Sequence, residues 1–270
     1  MILCFSGTGN SLQAARLLGE HLSLEVVPLP LDPSLEEAIA AADTIVWVCP
    51  VYSWGVPPVV LDAISRLPIA PGSHHHLVAT CGDDSGLTDR MFRRAIAARS
   101  ASSGVVATVI MPNNYVTFPG FDIDSPELAA SKLAAVPARI AEVASLIAAG
   151  SADTSVTRGS FPRFKTSVIY PWFVDHAMSP RPFRTTDTCT SCGLCASTCP
   201  TRNIAMTLPP GADADAVARP RPSWGDNCAF CLRCYHICPH HAIAHGRTTR
   251  SKGQYLNPTL FANLKWLKKS

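Results

Sequence analysis

The sequence is short of charge, of long apolar runs and of any signature for binding a nucleoside triphosphate. Only 16% of its 270 residues are charged, against 47% hydrophobic, which describes a packed globular chain and excludes a disordered one. Its most apolar stretches, around Ala38–Val51 and Leu133–Ala149, are broken by Asp43 or by Pro137, Arg139 and Glu142. Neither is long enough for a membrane-spanning helix. No basic segment leading into an apolar core opens the chain, so no secretory signal is expected and the expected compartment is the cytoplasm. The glycine loop near the N-terminus is followed by no Lys-Ser/Thr, which excludes a Walker A loop, and a G-x-G-x-x-G fingerprint is absent too. No nucleophile–base pair or acid–base dyad stands out, so no catalytic residue is assigned.

The length suits two domains, and the charge divides accordingly. Residues 1–150 carry 8 Lys+Arg against 14 Asp+Glu, whereas residues 151–270 carry 15 against 6. The change of sign places a boundary near 150. It also leaves two readings open: solvated surface charge, or a basic half that docks an acidic partner.

Along the first half, apolar runs alternate with helical patterns. Strands are expected at Ile2–Phe5, Leu24–Leu29, Thr44–Cys49, His76–Cys81 and Val105–Met111. Helices are expected near Ser11–His21, Ser34–Ala41, Pro57–Arg66, Leu87–Arg99 and Pro126–Ala149. Five strands alternating with five helices predict a doubly wound parallel α/β domain over 1–150. His74, His75 and His76 read as a polar lead-in to the fourth strand. In 151–183 helical periodicity vanishes and prolines punctuate aromatic and basic residues; the aromatics Phe161, Phe164, Tyr170, Trp172 and Phe173 argue against a free linker, so a connecting segment packed on both domains is expected. Residues 248–270 read as a basic tail; it has no nucleic-acid-binding motif, and no such partner is expected.

Eleven cysteines without a secretory signal point to metal or redox chemistry rather than disulfides, and eight of them lie between 189 and 238. The strings "CTSCGLCASTCP" and "CAFCLRCYHICP" share the spacing C-x2-C-x2-C-x3-C-P. In such a repeat three thiolates of each copy grip one iron–sulfur cubane and the fourth ligates the other cluster. One [4Fe–4S] cluster is therefore assigned to Cys189, Cys192, Cys195 and Cys238, and the second to Cys228, Cys231, Cys234 and Cys199. Structural zinc is the competing reading, but zinc requires neither the third cysteine of each triplet nor the C-P ending. The module over 184–247 resembles a bacterial-type two-cluster ferredoxin, with an α+β fold. His236, His240 and His241 lie beside these cysteines, either as exposed turn residues or as tuners of a cluster.

The string "SGTGNS" (Ser6, Gly7, Thr8, Gly9, Asn10, Ser11) lies between the first strand and the first helix, where hydroxyls and a helix N-terminus suit a dianionic phosphate. In that position it resembles the phosphate loop of flavodoxins, which hold FMN. The resemblance implies two further flavin loops at the carboxyl edge of the sheet. One is "PVYSWGVPP", with Pro50, Val51, Tyr52, Ser53, Trp54 and Gly55. The other is "TCGDDSG", with Thr80, Cys81, Gly82 and Asp83. Tyr52 or Trp54 is expected to stack on the ring, Gly55 to let its peptide rotate, and Thr80–Gly82 to offer backbone donors to the pyrimidine edge. Asp83 and Asp84 are expected to stabilise the next helix's N-terminus, and Cys49 and Cys81 to be core residues.

Taken whole, the chain is similar to the flavodoxin–ferredoxin fusion proteins of anaerobes. "MPNNYV" (Met111–Val116) and "QYLNP" (Gln254–Pro258) resemble stretches of that group, which places Asn114 and Tyr115 at the flavin or at its contact with the clusters. The resemblance implies FMN, two [4Fe–4S] clusters and an electron carrier serving redox protein partners. A reductase of a small acceptor, a redox sensor, and a ferredoxin module beside a flavodoxin-like domain that has lost FMN are the alternatives.

Overall fold

The computed structural model describes residues 1–30, 33–208 and 219–261. Strands β1 (Ile2–Cys4), β2 (Val26–Pro28), β3 (Thr44–Pro50), β4 (His74–Cys81) and β5 (Ser102–Ile110) alternate with helices α1 (Asn10–Leu22), α2 (Glu36–Ala40), α3 (Pro58–Arg66), α4 (Thr88–Ala97) and α5 (Pro126–Ala148). The strands are continuous apolar runs because both faces of the sheet are covered. Alternate residues of β1 and the one after it show it: Leu3 and Phe5 enter the core beneath α3 and α4, whereas Ile2 and Cys4 enter the one beneath α1 and α5.

The sheet has six strands rather than the five expected, in the parallel order β2-β1-β3-β4-β5-β6. The sixth is β6 (Thr154–Ser155), paired with Val106 and Ala107 on β5. It is too short and polar to be legible as a strand. Arg139 of α5 holds it, donating to Ser155 O and Oγ at 2.8 Å each.

The three histidines are the start of β4, not a lead-in: His74 is exposed at the strand's entrance, while His75 and His76 are both buried, on opposite faces of the sheet. Trp47 Nε1 donates to His75 Nδ1 at 3.0 Å, and His75 Nε2 meets Ser73 Oγ at 2.8 Å. His76 fills a bulge in β5 and accepts the Val105 N–H at Nδ1 at 2.9 Å.

Residues 162–177 are helical, against the expectation of a non-helical connector, in a run of short α and π turns. Pro162 occupies a first-turn position where its missing N–H costs nothing. The buried side of this run fastens to the sheet domain: Thr166 Oγ1 donates to Trp54 O at 2.8 Å and Tyr170 Oη to Val56 O at 2.6 Å. Phe173 enters the second module's core.

That module pairs β7 (Phe183–Thr185) with β10 (Ile243–His245) and β8 (Ile204–Thr207) with β9 (Arg221–Trp224), both antiparallel. The cysteine loops lie between these ribbons, each ending in a short helix, Leu194–Ser197 and Arg233–Ile237. Residues 254–261 then return to the first domain. Of the basic residues expected in the tail, Lys265, Lys268 and Lys269 lie outside the described residues. Among the described residues no helix is long and apolar enough to cross a membrane.

Candidate functional site: a flavin cavity beside two cysteine cages

The order β2-β1-β3 makes the carboxyl edge between β1 and β3 a topological switch point, where such sheets bind ligands. Register aligns the strand ends, with Pro50 opposite Thr80 and Cys81 opposite Ile110. The loops that follow β1, β3, β4 and β5 therefore converge. They enclose a cavity of about 390 Å³, a size ordinary for a cofactor site. Ser6, Gly7, Thr8, Asn10, Ser11, Pro50, Val51, Tyr52, Ser53, Trp54, Thr80, Cys81, Gly82, Asp83, Asn114 and Tyr115 all line it.

Two expected contacts, Gly9 and Gly55, stand behind the wall instead. Gly9 has φ +104°, and a Cβ there would meet Asn257 and Leu260 at 2.9 Å. Gly55 closes a tight turn with Tyr52, whose central residues Ser53 and Trp54 have φ of 42° and 66°, the primed geometry of a two-residue hairpin. Its glycine is required by contact, because a Cβ would lie 2.3 Å from the Tyr170 ring.

Within the first loop the hydroxyls are already engaged. Ser6 Oγ accepts from Leu12 N–H at 3.2 Å, Ser11 Oγ bonds Thr80 Oγ1 at 2.8 Å, and Thr8 Oγ1 accepts from Asn114 Nδ2 at 2.5 Å. By contrast, the backbone N–H groups of residues 7 to 11 donate to no described acceptor. A row of free N–H groups at a helix start suits an anion.

Asp83 and Asp84 do not occupy the first turn of α4; that position belongs to Asp89, which Arg158 clamps at 3.0 and 2.7 Å. Asp84 instead pairs with Lys165 at 2.7 Å, whose ammonium also sits 4.9 Å over the Trp54 ring. Cys49 and Cys81 are buried, and desolvation pushes both thiols up to about 12, so they are neutral at ordinary pH.

Sequence reasoning missed part of the wall. Asn113, Phe118 and Phe121 come from the long loop after β5, Ile169, Trp172 and Phe173 from the helical connector, and Phe230, Cys231 and Leu232 from the second cysteine loop. The connector's aromatics were the available signal, but nothing local assigned them to this cavity.

The cysteines fall into two groups. Cys189, Cys192, Cys195 and Cys238 line one small cavity. Burial pushes the Cys195 thiol up to about 11, and Cys238, Cys192 and Cys189 act in the same direction. In the other group burial raises Cys228 to about 12, with Cys231 and Cys199 adding to it, and raises Cys234 with Cys231, Cys228 and Cys199 as negative neighbours. Backbone N–H groups reach the two crossing cysteines, Asn203 to Cys199 Sγ and Ala242 to Cys238 Sγ, each at 3.3 Å.

His240 and His241 are exposed, but His236 is buried. Its Nδ1 accepts from Tyr255 N–H at 3.1 Å, so Nε2 carries the proton and donates to Asn114 O at 2.7 Å. The "QYLNP" stretch completes this junction. Tyr255 Oη donates to Asn10 Oδ1 at 2.7 Å, Asn257 N–H to Thr8 O at 2.9 Å, and Gln254 Nε2 to Cys238 O at 3.0 Å.

Two family models match the chain: one described as NADPH-dependent FMN reductase, over residues 30–123, and one described as 4Fe-4S dicluster domain, over residues 188–243. Among solved structures it is similar to a flavodoxin of Streptococcus pneumonia TIGR4, at 18% identity over 55% of this chain and 96% of that one, TM-score 0.37. It is similar also to the Fusobacterium nucleatum flavodoxin bound to flavin mononucleotide, at 12% identity over 56% and 96%, TM-score 0.39. The two-electron reduced Megasphaera elsdenii flavodoxin matches at 20% identity over 52% and 99%, TM-score 0.35. No curated protein sequence matches significantly. Sheet topology and these models define a redox protein in which a flavodoxin-like α/β domain precedes an iron–sulfur domain. The chain thus has the flavodoxin–ferredoxin arrangement, with [4Fe–4S] clusters and FMN as its cofactors.

The residues present fit those groups. Each cage offers four cysteines, the donor set of a cubane, which takes them on separate irons. Two buried side-chain polar atoms, Tyr52 Oη and Ser191 Oγ, have no partner among the described residues, and Trp224 donates to the Cys234 sulfur. All three border the cages, Tyr52 beside Cys231 and Cys228, Ser191 in the first cavity, and Trp224 against Cys234. Cluster and thiolate sulfurs accept hydrogen bonds of this kind.

Proposed function

We propose that the protein is an electron carrier that shuttles electrons between two [4Fe–4S] clusters and FMN and on to redox protein partners in the cytoplasm. Cys189, Cys192, Cys195 and Cys238 hold one cluster, and Cys228, Cys231, Cys234 and Cys199 hold the other. The four loops at the sheet edge hold FMN, with Tyr52 and Trp54 positioned to flank the ring. When bound, the clusters exchange single electrons and FMN exchanges one or two, so together they trade in pairs.

The observation that carries this reading is the shared wall. Cys231 belongs to the second cysteine set and also lines the flavin cavity, and its carbonyl would lie 2.4 Å from a Cβ placed on Gly7. His236, Asn114 and Tyr255 are bonded to one another at the same junction. The basic second module favours an acidic partner.

The test is anaerobic purification with iron, sulfide, zinc and flavin quantitation, followed by dithionite titration. About eight irons and one FMN per chain are expected, with the flavin and cluster absorbances bleaching together. Zinc in place of iron and sulfide, or FMN that stays oxidised while the clusters respond, refutes the reading. A second reading, FMN-dependent reduction of a small aromatic acceptor, draws on the half-exposed Phe118, Phe121 and Trp172 at the cavity. Steady-state turnover with a quinone or nitroaromatic in the absence of protein partners would favour it.

A further inference from the structure

One side chain ties the phosphate end of the cavity to the second cysteine set. Arg233, between Leu232 and Cys234, is only 2% exposed. Its guanidinium gives Nε to Gly7 O at 2.8 Å, Nη1 to Thr198 O at 2.7 Å and Nη2 to Ser6 O. Among the described residues no carboxylate pairs with it. Three of its five N–H groups thus have carbonyl partners, and the groups of opposite sign beside it are the Cys231 and Cys199 thiolates.

The carbonyls of Ser6 and Gly7 belong to consecutive peptide units. In a trans peptide the C=O and N–H point opposite ways. Holding both oxygens toward Arg233 therefore turns the N–H groups of Gly7 and Thr8 the other way, toward the side on which these residues line the cavity. Those two N–H groups donate to no described acceptor. A donor at each carbonyl also polarises its peptide and makes the N–H a stronger donor. Only glycine at position 7 permits the seating, since a Cβ would strike Cys231 O at 2.4 Å.

We propose that Arg233 is a positioning residue for FMN: by holding Ser6 O and Gly7 O it aims the next two N–H groups at the FMN phosphate, so phosphate recognition depends on the iron–sulfur module. This rests on the flavin reading above. A strut that merely joins the domains would act on every flavin alike; this role acts on the phosphate. Riboflavin, which shares ring and side chain with FMN but lacks the phosphate, separates the two.

The experiment uses full-length, anaerobically prepared protein freed of flavin, with iron and sulfide quantified, and titrates FMN and riboflavin by flavin fluorescence. Arg233→Gln is expected to lose about tenfold or more in FMN affinity, or about 1.4 kcal/mol, while its riboflavin affinity stays within about twofold of wild type. Arg233→Lys is expected to fall between, because an ammonium keeps the charge without the fork that serves two carbonyls. If Arg233→Gln does not assemble its clusters, Arg233→Lys alone decides. Wild-type FMN affinity in the variants, or equal losses for both flavins, overturns the role of Arg233. A wild-type protein that binds neither flavin overturns the flavin reading itself and this inference with it.

Discussion

Gly82 is the position at which a single methyl group should do most damage to the flavin cavity. A Cβ there would lie 1.7 Å from Asn113 Oδ1 and 2.5 Å from its Cγ, so one of the two loops must move by more than an ångström. Asn113 is not free to yield. Its backbone N–H and Nδ2 both donate to the Asp124 carboxylate, each at 3.0 Å. Asp124 is in turn paired with Lys132 at 2.7 Å, and Lys132 donates to Gly82 O at 2.9 Å, closing a ring. Burial works to raise the Asp124 pKa, but Lys132 and Asn113 together hold it below its ordinary value. Relieving the clash costs Asn113 at least one hydrogen bond to a charged group, about 1.5–3 kcal/mol, besides overpacking strain of about 1 kcal/mol or more. We expect Gly82→Ala to lose about 3 kcal/mol by urea unfolding and to bind FMN at least tenfold more weakly. Asn113→Gly removes the obstacle, so adding Gly82→Ala to it should cost under about 1 kcal/mol. Equal costs of Gly82→Ala in both backgrounds, or an unchanged urea midpoint for the single variant, would refute this account.

Further outcomes follow from the buried groups. Burial, aided by His74 nearby, pushes His75 and His76 down to about 4. The unfolded chain takes up these protons near pH 6.5 and the folded one does not until about pH 4. Stability is therefore full above pH 6.5 and drains as pH falls toward 4, on the order of 2 kcal/mol per histidine. Urea midpoints between pH 7.5 and 4.5 should fall accordingly, and less steeply in His76→Asn, whose Oδ1 can take the Val105 N–H; a flat wild-type profile would contradict the assignment. Arg158→Met strands the Asp89 carboxylate, 5% exposed, and should cost about 2 kcal/mol in the same assay, with rescue by Asp89→Asn in the double variant.

How much of this was legible depended on the range over which the chemistry is encoded. The cysteine repeat was readable because ligand spacing is local. The five main strands were readable because parallel strands buried on both faces are plain apolar runs. β6 was not, since Thr154 and Ser155 gain their place from Arg139 and an open sheet edge rather than from propensity. The 162–177 run was hidden by Pro162 and Pro171 and by apolar residues at its exposed side, with Phe161 and Phe164 facing outward. The loops of the flavin site could be named from the resemblance, but the close approach of Tyr170 to Gly55 could not, because it spans more than a hundred residues. The junction of His236 with Asn114 and of Arg233 with Ser6 links residues 122 and 227 positions apart, and no local pattern carries that.

The contacts of Asn257 imply an order of assembly. Its side chain donates to Asn10 Oδ1 at 3.1 Å and Gln13 Oε1 at 2.7 Å, at separations of 247 and 244 residues. A chain emerging from the ribosome builds the β1–β5 sheet long before this clasp exists. The phosphate loop takes its finished shape only when residues 254–261 arrive and the cysteine loops have folded against it. Tight flavin binding is therefore expected only after translation has passed the cysteine repeats, and a chain truncated before residue 254 is expected to release FMN readily even with its α/β sheet intact.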